Sequence, residues 1–226
     1  MNQKLTLQLG GSILDFNVRR VVVAGYTGRD TNQVHAHIEE LEKQGIPAPE
    51  TVPSVYPLDA SWATIEKDLA VGDRVSGEVE PALLFVGNSL DDALVSVIVD
   101  FTDREEEKKS IAESKKQPKP FSSQVWRYGD VAEFWDEIAL RSWVEPGPKP
   151  QLYQSGTFAQ LLPPATLLES IKPRLEGDLE GTVLLMGTVP LLSKQFLFTD
   201  YFGCEIETPK HAKLSYECRL RHSDAR

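Results

Sequence analysis

Short apolar stretches punctuated by Gly, Pro, Asn and Asp set the rhythm of this chain. The segments "KLTLQL", "ILDFNV", "RRVVVAG", "VYPLD", "ALLFV", "LVSVIVDF", "LRSWVE", "QLYQSGT", "TVLLMGT" and "KQFLFTD" have strand length and strand-type boundaries, as do "CEIE" and "KLSYECRLR" near the end. Apolar spacing of the helical kind is clearest over Thr31 to Gln44, Arg104 to Lys116 and Ala165 to Ile171, with Val131 to Ile138 a weaker fourth. Strands outnumber helices and do not alternate with them, which predicts a mixed, largely antiparallel α+β fold rather than a doubly wound one. The Pro-rich run "EPGPKPQ", Glu145 to Gln151, can continue neither ladder nor helix and reads as a loop between strands of one body. The charged run "DREEEKKSIAESKK" reads as a solvated helix face with Ile111 and Ala112 as its apolar anchors.

At 226 residues and 41% apolar content the chain can bury a substantial core, most simply as one domain over residues 1–226, with 1–19 supplying N-terminal strands that pack on it. A net charge of −10 with no basic stripe argues against nucleic acid and anionic membranes, and leaves a small molecule or a protein as partner. The first residues lack a signal-peptide core and no apolar run approaches the roughly 18 residues of a membrane span, so a cytoplasmic location is expected. Cys204 and Cys218 have no second Cys or His at zinc-finger spacing and read as buried thiols.

One short segment raises a chemical question. In "SGEVEP", Ser76 to Pro81, a strand would point Glu78 and Glu80 to the same side. The apolar run that follows ends at Val86, "GNSLDD" supplies turn chemistry, and a second run leads into "VIVDFTD". That pattern is a hairpin. Pairing Val86 with Ala93 sets Asp100 opposite the Glu78 to Glu80 segment, although a slip of one residue would send it to the other face. Three carboxylates so gathered must be diluted by water, partly protonated or neutralised by a cation, and an all-oxygen set suits a hard divalent ion such as Mg2+. The plainer reading is an exposed edge on which each acid faces water alone.

The segment "DTNQVHAHIEELEKQG" opens with Asp30 or Thr31 as cap and closes at Gly45. Val34, Ile38 and Leu41 make its apolar stripe. His37 and Glu40 fall along one flank, His35 and Glu39 along the other. A carboxylate beside an imidazole raises its basicity and fixes its tautomer, although such pairs are commonly surface ion pairs. Chelation of zinc by "HAH" would suit a strand better than this helix.

These pieces, in this order, resemble the fumarylacetoacetate hydrolase superfamily, and in particular a small branch of it. "VVVAGYTGRD" with "HAHIEE" is similar to that family's strand, Gly-Arg loop and His-x-x-Glu helix. "EVE" and "VDFTDRE" are similar to its metal-ligand motifs, "ESKKQPKP" to its active-site lysine segment, and "EGTVLLMGTVP" to its Gly-Thr-Pro loop. The resemblance spans roughly residues 20 to 190, with Val189 interrupting the last motif. It implies a mostly β, mixed β-sandwich roll with a few short helices, and a homodimer.

The resemblance also assigns roles. Glu78, Glu80 and Asp100 become ligands for Mg2+, or for Mn2+ or Ca2+; His37 and Glu40 become the base and its orienter, since His35 with Glu39 lacks the spacing; Lys115, with Lys116 as alternative, becomes the active-site cation; Arg29 and Thr188 contact substrate. The implied activity is hydrolysis of a C–C bond in a β-diketone or acylpyruvate-like compound. Decarboxylation of a 2-oxo acid and keto-enol isomerisation or hydration are alternatives on the same site, and a non-catalytic binding protein that keeps the fold is another.

Overall fold

The computed structural model describes residues 2–43 and 45–222. Its strands are β1 (Gln3–Leu9), β2 (Ser12–Val18), β3 (Arg20–Gly25), β4 (Ser54–Asp59), β5 (Ala63–Thr64), β6 (Asp68–Val71), β7 (Val75–Phe85), β8 (Ala93–Asp103), β9 (Lys119–Pro120), β10 (Gln124–Arg127), β11 (Ala139–Val144), β12 (Gln151–Thr157), β13 (Thr182–Leu185), β14 (Tyr201–Thr208) and β15 (His211–His222). The α-helices are short: α1 (Thr31–Lys43), α2 (Arg104–Glu107), α3 (Ile111–Ser114), α4 (Tyr128–Val131) and α5 (Pro164–Ile171). Gln44, the expected last residue of α1, lies outside the described residues.

Two curled sheets carry the fold. One has eight strands in the order β2-β1-β10-β8-β7-β13-β3-β4, the other five in the order β12-β11-β14-β15-β6, and β5 with β9 forms a small third ladder. Most pairings are antiparallel, as expected from strands that do not alternate with helices. The Pro-rich run is the connection between β11 and β12, neighbours in one sheet. No helix among the described residues is long and apolar enough to cross a membrane.

The β7–β8 hairpin is the spine of the molecule, and its period of two sorts its side chains between two cores. Val79, Leu83, Phe85, Val95, Val97, Val99 and Phe101 enter the core between the sheets, together with Phe202, Ile206 and Tyr216 of the five-stranded sheet. Ala82, Leu84, Leu94 and Ile98 enter the other core, with Leu7, Val21, Phe121 and Val183. Along that second face the row changes character towards the open end of the hairpin. On β7, Leu84 and Ala82 give way to Glu80, Glu78 and Ser76; on β8, Ile98 gives way to Asp100 and Thr102.

The register corrects one expectation. Phe85, not Val86, pairs with Ala93, so Asp100 faces Glu78 directly. Val86 is drawn into the turn, where its N–H donates to the Asp92 carbonyl.

Two further expectations fail for physical reasons. The segment Arg104 to Lys116 is not one helix: α2 is capped by Asp103, whose carboxylate accepts the N–H groups of Glu105 and Glu106, and α3 is capped afresh by Ser110. Its inward face is polar. Arg104, Glu107, Ser114 and Lys115 are buried, whereas Ile111 is only half-buried and Ala112 is exposed. "KQFLFTD" is not a strand but part of an irregular strap from Met186 to Asp200. Its aromatic rings are spent on cations: the Arg104 guanidinium lies 3.7 Å above the Phe196 ring and that of Arg74 4.1 Å above Phe198.

Candidate active site

Asp100 is the best-buried member of the acidic group, 1% exposed. It sits between two lysines. Lys115 Nζ donates to Asp100 Oδ2 at 2.6 Å and to Thr102 Oγ1 at 3.0 Å. Lys119 Nζ lies 3.0 Å from Asp100 Oδ1 but directs its hydrogen bond to the Phe101 carbonyl at 2.6 Å, which leaves Oδ1 without a hydrogen-bond donor among the described residues. Burial pushes the Asp100 carboxyl up, yet the two ammonium groups outweigh it and hold the group down to about 2. Burial likewise works against Lys115, and Asp100 more than restores its charge. Lys119, fully enclosed, is lowered to about 8 because desolvation exceeds the help it receives from Asp100.

Glu80 makes no ion pair among the described residues. Its Oε2 accepts the backbone N–H of Gly187 at 2.6 Å. Burial, followed by the charge of Asp100, drives its carboxyl well above the ordinary value, with Lys115 and the Gly187 amide pulling the other way. Gly187 has φ +92°, and a Cβ there would run into Thr27 Oγ1, so only glycine brings the loop this close. Glu78, less buried, is held by Arg104 Nη2 at 2.9 Å; the same guanidinium binds Glu107 and the Ser76 hydroxyl. Burial opposes the Arg104 charge, but Glu78 and Glu107 raise its pKa.

Glu78, Glu80 and Asp100 thus share one strand face, as expected, but they are not gathered into a ready cage. Each leans towards a different protein donor, and no group of three or more His, Cys, Asp or Glu is arranged to hold a metal among the described residues. The donor chemistry still fits a hard dication. The set is all oxygen, Asp100 Oδ1 is buried with the Lys119 ammonium beside it, at 3.0 Å, and Glu80 is buried with its charge opposed rather than paired.

The remaining expected residues fall as follows. Lys115 is buried against Asp100, while its alternative Lys116 is an exposed partner of Glu113. Thr188 Oγ1 donates to the Val79 carbonyl at 2.6 Å, so its loop is tied to β7 between the two glutamates. Arg29 makes a bidentate pair with Asp136, 2.7 Å on each arm, and donates through Nε to the Leu161 carbonyl. One hydrogen remains on each terminal nitrogen for any other ligand. Helix α1 is preceded by Asp30, whose carboxylate accepts the N–H groups of Asn32 and Gln33. Of its apolar stripe only Val34 is fully buried.

His37 and Glu40 are exposed and share no hydrogen bond. The His37 ring lies 6.3 Å from that of Tyr26, the residue that turns the chain out of β3 with φ +57°. The phenol of Tyr26 is pushed up to about 12, chiefly by burial, and feels the charges of Glu107 and Lys115.

Sequence reasoning missed Lys119, Arg104 with Glu107, and Gln154. Lys119 had a signal, a lysine set between two prolines in "QPKP", since a cation so fixed has little freedom to reach water. Arg104 and Glu107 were masked by the charged run around them. Nothing near Gln154 announces its partners, all distant in sequence.

Among solved structures, a protein from Oleispira antarctica described as a candidate fumarylacetoacetate isomerase/hydrolase superposes with a TM-score of 0.71 at 18% identity, covering 95% of this chain and 99% of its own. Fumarylpyruvate hydrolase from Pseudomonas aeruginosa, in complex with Mn2+ and pyruvate, gives 0.68 at 15% identity, with 97% of each chain covered. A yeast fumarylacetoacetate hydrolase family protein gives 0.63 at 19%, covering 92% of this chain and 96% of its own. No curated protein matches by sequence. The fold is that of the fumarylacetoacetate hydrolase superfamily, and by the match of residues 24–217 the chain belongs to the family described as protein of unknown function DUF2848.

Proposed function

We propose that the protein is a metal-dependent hydrolase that cleaves a C–C bond in a β-diketone or acylpyruvate-like substrate. The observation that carries this reading is the buried Asp100, opposite Glu78 and on the face of Glu80, with two lysine ammonium groups on it. The Mn2+ and pyruvate held by the Pseudomonas aeruginosa fumarylpyruvate hydrolase support a divalent ion and a small 2-oxo acid as ligands here.

Glu78, Glu80 and Asp100 would hold the ion, Mg2+ or Mn2+. When bound, it supplies Lewis acidity to substrate oxygens. Lys115 has three N–H donors and spends two on Asp100 and Thr102, so one remains for a developing oxyanion. Lys119, shut away from solvent, sets the local potential. His37 takes the proton from the attacking water. Glu40, one turn along the same helix flank, would orient the imidazole by accepting a hydrogen bond from its other ring N–H when the pair closes. Arg29 holds the loop before α1 and offers its remaining hydrogens to the far end of the substrate, and Thr188 lines the near wall.

The test is a panel of acylpyruvates and β-diketones assayed with Mn2+, with Mg2+ and with chelator. Loss of the diketone absorbance with equal formation of acid supports hydrolysis. Release of CO2 would instead identify decarboxylation, and absorbance change with no acid or CO2 would identify isomerisation. Turnover surviving both chelation and Glu80→Gln rejects the metal site.

A further inference from the structure

Strand β7 outruns its neighbour. On the side away from β8 it is paired by β13 only at Ala82, Leu83 and Leu84. The earlier peptide groups on that edge are buried and must find other partners, since a buried backbone group left unpaired is destabilising. Pro81 brings no N–H, and its carbonyl takes the N–H of Met186 at 3.1 Å. The next group along is Val79, the residue between Glu78 and Glu80.

Val79 is served by side chains acting as a missing strand. Its carbonyl accepts from Thr188 Oγ1, and its N–H donates to Oε1 of Gln154 at 2.9 Å. Gln154, on β12 of the other sheet, is completely buried. Its Oε1 also accepts from the Ser142 hydroxyl at 2.9 Å, and its Nε2 donates to Thr188 Oγ1 and to the Val189 carbonyl, each at 2.7 Å. Every hydrogen-bonding position of the amide is filled. Its orientation is fixed, because a backbone N–H can only donate and a backbone carbonyl can only accept.

We propose that Gln154 is a positioning residue for the acidic site: its amide sets the spacing between the backbone that bears Glu78 and Glu80 and the loop whose Gly187 N–H grips Glu80, and thereby how tightly these carboxylates hold a divalent cation. The inference rests on the metal-site reading above. Its geometry does not need a metal, so it can be tested separately.

The test uses Gln154→Glu in the full chain. The carboxylate keeps both acceptor bonds but cannot donate to Thr188 or Val189. The expected result is Mn2+ binding weaker by about tenfold or more in titration calorimetry, with faster amide hydrogen exchange in peptides covering Val79 and Gly187. A variant that melts lower but binds Mn2+ as the wild type does overturns the proposal, because a purely structural glutamine would behave so. If the wild type binds no Mn2+, the metal reading fails. Exchange then decides alone, and unchanged protection at Val79 overturns the positioning role. Should Gln154→Glu not fold, Thr188→Val, which cuts one arm of the bridge, is compared with Thr188→Ser, which keeps it. Equal Mn2+ affinity and equal exchange in these two would also overturn the proposal.

Discussion

Asp100 faces Glu78 directly across the β7–β8 ladder, with Glu80 on the same face beside them. Like charges at opposed positions destabilise a sheet, so this pairing persists only because the basic side chains of Arg104, Lys115 and Lys119 are delivered by the segment that follows β8. The hairpin and its covering segment are therefore one electrostatic unit.

Removing the acid at its centre tests that unit. Asp100→Asn leaves the ammonium of Lys119, fully buried, beside a neutral amide. Breaking a buried pair in this way costs about 3 to 5 kcal/mol. Urea unfolding should show a loss of that size, whereas Lys116→Met, at an exposed pair with Glu113, should stay within about 1 kcal/mol of wild type. Equal stabilities for the two variants would contradict the account.

The two buried acids give opposite pH dependences. Asp100 is depressed from 3.8 to about 2, so its stabilisation is present above 3.8 and is lost as pH falls towards about 2. Glu80 is raised, so its contribution is complete below its ordinary value of 4.5 and is lost as pH rises through the folded value. In metal-free protein, Glu80→Gln should therefore melt higher than wild type at about pH 8 and close to it at about pH 4. Thermal melts at the two pH values check the sign, and a variant less stable at the higher pH would refute it.

The two flanks of α1 are distinguishable by activity. The His37 ring lies 6.3 Å from that of Tyr26, while His35 lies on the opposite flank of the helix. His37→Ala should lower kcat by about 100-fold or more while Mn2+ binding persists, the scale of a lost general base. His35→Ala should keep most of the rate. Steady-state kinetics on whichever diketone proves active would reverse the assignment if the losses were exchanged.

Much of this was legible along the chain because strand periodicity is local. The alternation that buries Val79 also turns Glu78 and Glu80 the same way, and the apolar runs on both sides of "GNSLDD" announce the hairpin before any long-range contact is considered. The register was less legible: whether Val86 or Phe85 meets Ala93 depends on how many residues the turn consumes, and that is decided by the Val86 N–H bonding to Asp92. The helix misread over Arg104 to Lys116 and the strand misread in "KQFLFTD" share a cause. In both, tertiary partners outweigh local pattern, with Arg104 turned inward to acids and Phe196 stacked upon Arg104 rather than aligned in a ladder. Gln154 was invisible for the same reason, since its worth lies in Val79, Ser142, Thr188 and Val189 at once.

Arg104 offers the sharpest link between the fold and the proposed ion, because it now occupies the charge of Glu78 that a metal would share. Arg104→Met removes the guanidinium that lies over Phe196 and leaves Glu78 and Glu107 without their common cation. In chelator this variant should lose about 3 to 5 kcal/mol, the cost of a buried pair broken on one side. A ligand that binds only the folded state raises stability in proportion to its affinity, and the freed Glu78 should make that affinity higher. Added Mn2+ should therefore raise the melting temperature of Arg104→Met more than it raises that of wild type. Phe196→Ala supplies the control: it removes only the stack, worth about 1 kcal/mol, and leaves the Glu78 ion pair in place, so its response to Mn2+ should match wild type. A Mn2+ response of Arg104→Met no larger than that of Phe196→Ala would separate Glu78 from the ion.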